Sequence, residues 1–457
     1  MSMGAHPEPH RFHWPRRWVL WMVIGLVVAP VAAAGIAVGI DRAFFSAQER
    51  WSWPPEPCLV QGIDARCGTF VVPEDRAKPN GRTIGLHVVV LPAFSKPARE
   101  DAVTYLAGGP GEAATDEATD LSQQLSALHL YRDILLVDQR GTGRSNPDGG
   151  DVTQYGTRMA MDDLDAVRAA LGYRQLDVIG SSYGATAAQI YLKLHPSSVR
   201  TLVLSGASAI DVPFFDRYAV NAQRALDQLA NLCASDSDCR QAFPGWERQF
   251  GELVKAWNAH PEHGMTGDQL ASIVHGMLLD LRKAVSIPLV VSSAAKGDYA
   301  PLEEQSSGDL SVEDLNLIRS SIWCNEPWTG LDAMGPWGTD FDSYTAARIA
   351  AFRNACSSVP KRAEPRSLWT LSAPSPVPVL ALVGGADPQD PVTNLSDLKQ
   401  HFPDSRAMIF PHIGHQFGIG GCLYPILADF VDRGTTKGLD TTACDGAVVV
   451  PPFELTD

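Results

Sequence analysis

No two of the eight cysteines in this 457-residue sequence stand in Cys-X-X-Cys spacing, which removes the usual framework of a zinc or dithiol redox site. Basic runs are missing outside the N-terminal end and the formal net charge is −15, so no nucleic acid is expected as a partner. Internal repeats and low-complexity tracts are absent, which excludes a solenoid. Charged residues make up only 19% against 45% apolar, so the chain lacks the profile of disorder and has the material for a large core.

Long uncharged runs are scarce too, and the one present stands at the start. The 23 residues from Trp18 to Ile40 would span about 35 Å as a helix at ~1.5 Å per residue, enough for a bilayer core. Arg11, Arg16 and Arg17 precede them, a positive flank that keeps the N-terminus in the cytoplasm. The expectation is a cytoplasmic segment 1–17, a transmembrane signal anchor or signal peptide 18–40, and a catalytic part outside the cytoplasm. Ala32-Ala33-Ala34 offers a cleavage site, and cleavage would leave a secreted or periplasmic protein. Arg16-Arg17 also matches the opening of a twin-arginine signal. All eight cysteines follow the run, in keeping with disulfides in an oxidising compartment. Proximity along the chain pairs Cys58 with Cys67, Cys233 with Cys239, Cys324 with Cys356 and Cys422 with Cys444.

After a linker, 41–57, the chain alternates strands and helices. Strand signals are Thr69–Val72, Ile84–Leu91, Val103–Leu106, Ile134–Val137, Leu176–Ile179, Leu202–Leu204, Val379–Val383 and Met408–Phe410. Most are wholly apolar, as strands of a parallel sheet covered on both faces are. From 209 to 375 the strand signal lapses, and helical periodicity appears at Tyr218–Leu232, Phe243–Trp257, Leu310–Ile322 and Tyr344–Phe352. These ~165 residues read as a helical cap inserted into a catalytic domain made of 58–208 and 376–457.

Strand Leu176–Ile179 runs directly into Gly180-Ser181-Ser182-Tyr183-Gly184, and a helical pattern follows from Ala185. A serine on a sharp strand-to-helix turn stands clear of the sheet at a helix N-terminus, and this setting of G-x-S-x-G is that of the α/β-hydrolase fold. The hydroxyl needs a base, and the base needs an acid, in the chain order serine, acid, histidine. Asp387, at the end of one apolar strand, is the expected acid in preference to Asp390; His415, following another, is the expected base in preference to His412. Oxyanion donors are expected from the N–H of Tyr183 and from the loop Ala107-Gly108-Gly109-Pro110-Gly111.

Gly108–Gly111, Asp138-Gln139-Arg140-Gly141-Thr142-Gly143-Arg144-Ser145, Gly180–Gly184, Gly385-Ala386-Asp387-Pro388 and Gly414-His415 together resemble the proline iminopeptidase and secreted tripeptidyl aminopeptidase family, from about Cys58 to Cys444. The resemblance implies an α/β-hydrolase fold, a mostly parallel sheet with helices on both faces and a helical cap. It implies Ser182, Asp387 and His415 as triad, Gly109 and Tyr183 as oxyanion positions, and structural duty for Asp138–Ser145. Trp323-Cys324-Asn325-Glu326 resembles a cap motif of the secreted members, which makes Glu326 a binder of the substrate's amino terminus. Ala107 departs from the histidine of the cytoplasmic iminopeptidases and leaves the residue before the cut open. The activity implied is that of an exported serine aminopeptidase acting on peptides with a free N-terminus; the run Trp18–Ile40, if uncleaved, is expected to anchor it to the membrane. An esterase or lipase of the same fold is the alternative, and an inactive binding protein a third. No metal or organic cofactor is expected.

Overall fold

The computed structural model describes residues 53–305, 315–371, 373–416 and 421–456. The uncharged run Trp18–Ile40 lies outside them, as does the first part of the pattern Leu310–Ile322. No helix among the described residues is long and apolar enough to cross a membrane.

Nine strands form one sheet: β1 (Glu56–Val60), β2 (Ile63–Pro73), β3 (Thr83–Leu91), β4 (Ala102–Leu106), β5 (Ile134–Val137), β6 (Leu176–Ser181), β7 (Val199–Ser205), β8 (Val379–Gly384) and β9 (Ser405–Phe410). Their spatial order is β1-β2-β3-β5-β4-β6-β7-β8-β9. Pairing is antiparallel from β1 to β5 and parallel across the rest. β5 and β8 are buried along their whole length, the burial of strands covered on both faces. β3 alternates at its start and is then wholly buried, following its sequence from Ile84-Gly85 into Val88-Val89-Val90-Leu91.

The helices of eight or more described residues are α1 (Thr157–Leu171), α2 (Tyr183–Leu194), α3 (Phe214–Ser235), α4 (Trp246–Ala259), α5 (Gly267–Leu278), α6 (Ile287–Ala294), α7 (Leu317–Asn325), α8 (Asp342–Ala355) and α9 (Leu423–Arg433). α3 to α8 lie between β7 and β8, where no strand occurs among the described residues. An aromatic cluster packs this helical stretch: Phe214 and Phe215 of α3 meet Trp323 of α7, and Trp323 stacks on Phe352 of α8 at 4.7 Å between ring centres.

Four disulfides join the pairs that proximity suggests, and no free cysteine remains among the described residues. Cys324–Cys356 ties the end of α7 to the residue after α8. Four of these elements have no counterpart in the sequence patterns: β1, α5, α6 and α9.

The sheet and α2 meet at bare backbone. A methyl at Gly184, near the start of α2, would overlap the Leu106 carbonyl at the end of β4, and one at Gly180 would overlap the Gly184 carbonyl. Backbone cannot rotate away as a side chain can, so Gly184→Ala is expected to lower stability by about 3 kcal/mol or more. Urea unfolding of the variant checks this; an unchanged midpoint would contradict the close approach.

Candidate active site

Ser182 lies between β6 and α2 with φ +54°, a region that non-glycine residues seldom enter and that costs about 1–3 kcal/mol. The turn is held by the Ser182 N–H, which donates to the Ser205 carbonyl at 2.8 Å. Its hydroxyl is 2.9 Å from Nε2 of His415, and His415 Nδ1 is 2.9 Å from Oδ2 of Asp387. Asp387 follows β8, is fully buried, and accepts at Oδ1 from the N–H groups of Gln389 and Asp390. His415 follows β9 and packs its ring against Gly206, where a methyl would come within 3.2 Å of Cε1. Exposed His412 takes no part.

The sheet thus brings together Ser182, Asp387 and His415 from the C-terminal ends of three strands. Ser182 and His415, with Gly109 and Tyr183, line a cavity of about 370 Å³, and Asp387 lies buried behind the histidine. Tyr183 opens α2, and the first N–H groups of a helix have no acceptor within it. Gly108 packs so closely that its β-position is 3.4 Å from the Ser182 β-carbon. The loop Gly108–Gly111 is braced by α7, and the segment after it by Asp138. Arg319 of α7 donates through Nε to the Pro110 carbonyl at 2.9 Å. Buried Asp138 accepts from the Thr115 N–H, the Thr115 hydroxyl and the Arg144 N–H. Arg140 beside it forms a two-pronged pair with Asp163 and caps the Glu74 and Gln154 carbonyls. The Asp138–Ser145 segment is scaffolding.

Burial works against a charged imidazole at His415, but the Asp387 carboxylate outweighs it, with Asp390 and Glu112 adding, and lifts the pKa to about 9. Asp387 is held below the ordinary carboxylate range, burial being overcome by the same imidazole.

Glu326 is not brought to this cavity. Its carboxylate is buried, and it accepts from the Thr157 N–H at 2.6 Å, the Thr157 hydroxyl at 2.8 Å and the Trp328 indole N–H at 2.8 Å. Thr157 is the first residue of α1, preceded by Gly156, which has no side chain to cap it; Glu326 supplies that acceptor from 169 residues away. The Thr157 hydroxyl also meets the Tyr183 hydroxyl at 2.7 Å, and Trp328 walls the triad cavity. Burial, partly offset by those three donors, raises the Glu326 pKa to about 7. The carboxylate acts through its neighbours and lines a separate, adjoining cavity of about 550 Å³.

The family described as alpha/beta hydrolase fold matches residues 105–420. The chain belongs to that family. YuaR of Escherichia coli K12 is 27% identical over 306 residues, 56% of this chain and 59% of that protein. The serine protease Hip1 of Mycobacterium tuberculosis is 27% identical over 223 residues, 38% of this chain and 42% of that one. The chain therefore spans about half the length of these two relatives. The tripeptidyl aminopeptidase of Streptomyces lividans is 24% identical over 525 aligned positions, 93% of this chain and 90% of that protein. The resemblance drawn from the motifs stands.

Of the residues lining the cavity, Glu112 was not singled out by sequence reasoning, and Asp390 was weighed only as the lesser candidate for the acid. Glu112 follows Gly108–Gly111 directly, a position beside the expected oxyanion loop that would have marked it. Asp390 lines the cavity as well as standing near the triad.

A protonated His415 cannot accept the Ser182 proton, so kcat/KM for a short uncharged acyl ester, corrected for spontaneous hydrolysis, is expected to rise with pH up to about 9. A limb at the ordinary histidine value of about 6.5 would contradict the acid-rich setting. Glu326→Ala strands three buried donors and is expected to cost about 3 kcal/mol or more. Thermal unfolding reads that loss, and assays on a free-amino amide and an uncharged ester should fall together; a selective loss on the amide would restore a direct role in amine binding.

Proposed function

We propose that this hydrolase is an exported serine aminopeptidase that cleaves peptides from a free N-terminus through an acyl-enzyme. Ser182 Oγ bonds to the scissile carbonyl carbon as its proton passes to His415 Nε2. The developing oxyanion is received by the N–H groups of Gly109 and Tyr183. His415 then gives the proton to the leaving amine as the C–N bond breaks, and water repeats the sequence to free the acyl group. Asp387 fixes the ring and stabilises the imidazolium.

The observation that carries the peptidase reading is Glu112. Its side chain is exposed in the triad cavity, and its carboxylate has no hydrogen bond or ion pair among the described residues. Its Oε2 lies 3.0 Å from the β-position of Gly108, the same position that is 3.4 Å from the Ser182 β-carbon. When a single residue is released, the α-ammonium is two bonds from the carbonyl carbon that Ser182 attacks, so an anion beside the serine is placed to meet it. The cavity's arginines leave that anion available: Arg319 holds the Pro110 carbonyl, and Arg348 lies over the Tyr218 and Phe352 rings. Relatives named tripeptidyl aminopeptidase and proline iminopeptidase support the reading. Four disulfides support an oxidising, extracytoplasmic location, and the run Trp18–Ile40 supports a membrane anchor. In this reading the helices between β7 and β8 are the cap that shapes the peptide site.

Glu112→Gln removes the anion and keeps the size. It is expected to lower kcat/KM on free-amino aminoacyl and peptidyl anilides by at least about tenfold while leaving a short acyl ester within about twofold. N-acetylation of the anilide should have the same effect on the unmodified enzyme. Equal losses on both substrate types, with indifference to acetylation, would replace the aminopeptidase reading by an esterase.

A further inference from the structure

Two carboxylates stand beside the His415 imidazole. Asp387 Oδ2 is 2.9 Å from Nδ1, and Asp390 Oδ2 is 3.8 Å from the same nitrogen. Both come from the turn after β8, and the turn is tied to itself, since the Asp390 N–H donates to Asp387 Oδ1 at 2.9 Å. From the other side the Ser208 hydroxyl donates to Asp390 Oδ1, and Ser208 in turn accepts from the Asn394 amide at 2.8 Å. The Asp390 side chain is only 13% exposed, and among the described residues its cationic partner within ion-pair distance is His415.

A carboxylate that merely closed a turn would be cheaper as asparagine, which offers Ser208 the same acceptor without the desolvation of a charge. Here one oxygen is fixed by Ser208 and the other is turned toward the ring nitrogen that Asp387 already holds. A movement of about 1 Å would bring it within hydrogen-bond distance of Nδ1. We infer that Asp390 is a second acid for His415, holding the imidazolium together with Asp387 during turnover and taking over the Nδ1 contact when Asp387 is neutralised. The inference rests on the serine-hydrolase reading of the site.

Among the described residues, Glu112, Arg319 of α7 and Arg348 of α8 line the cavity with the ring, and Arg224 of α3 donates to the Gly385 and Asp387 carbonyls. Burial, with the charge of Asp387 adding, pushes Asp390 up to about 6, so it is an anion at neutral pH and above, where the base must work.

The test is a set of three variants, Asp387→Asn, Asp390→Asn and the double substitution, assayed on a short acyl ester across pH with thermal unfolding alongside. Asp387→Asn is expected to keep at least about tenfold more activity than the double variant, because Asp390 remains to orient the ring. Asp390→Asn alone should move the rising limb of kcat/KM to lower pH by half a unit or more, since one of two anions holding the proton is gone. Asp390→Glu, which keeps the charge, should leave the limb in place; Asp390→Ser serves if the asparagine variant does not fold. A double variant no worse than Asp387→Asn, with an unmoved limb in Asp390→Asn, would overturn the inference. Full activity in Ser182→Ala would instead overturn the hydrolase reading beneath it.

Discussion

The site depends on how closely three stretches of backbone approach one another around Ser182. β6 must stop, turn and enter α2 within a few residues, while the end of β4 lies against the start of that helix. Side chains at Gly180 or Gly184 would collide with backbone, so these positions admit only hydrogen. Ser182 itself is held at φ +54° by the surrounding contacts. The close packing does two things together. It raises the hydroxyl above the sheet, and it brings the loop after β4 near enough that a methyl on Gly108 would touch the Ser182 β-carbon. Loosening any one of the three segments would separate nucleophile from donors.

Charge is distributed around this frame by burial. His415 has three acids in its surroundings that hold its pKa up to about 9, whereas burial, only partly offset by its three hydrogen-bond donors, raises Glu326 to about 7. These two groups of carboxylates do different work. One set faces the reacting atoms, and the other joins the start of α1 to Trp328 and, through Thr157, to the side chain of the residue next to the nucleophile. The helical stretch between β7 and β8 is thereby connected to the catalytic turn by buried hydrogen bonds as well as by aromatic packing.

Much of this was legible in the sequence where the signal is local. The buried strands declare themselves as apolar runs, and the turn chemistry of Gly180–Gly184 is written in five consecutive residues. β1 left no such trace, because Glu-Pro-Cys-Leu-Val is an exposed edge strand without alternation. α6 is buried on every side and so has no polar face from which a period could be read. α5 did leave a sign, the Thr266–Gln269 capping box, that would have placed its start. Glu326 shows what is not local. Nothing near it in sequence reveals that a helix N-terminus 169 residues away lacks a cap, so a motif resemblance sent it to the substrate when its partners are Thr157 and Trp328. Asp387 and Asp390 are separable by position at the strand end, yet only the fold shows that both reach the same imidazole.

The central claim is that Ser182 becomes covalently acylated. Rapid acid quenching of the enzyme during turnover of an activated aminoacyl ester, followed by proteolysis and mass spectrometry, measures this directly. The account predicts one acyl group on the peptide containing Ser182, absent from Ser182→Ala along with turnover. An adduct at another residue, or undiminished turnover in Ser182→Ala, would contradict it.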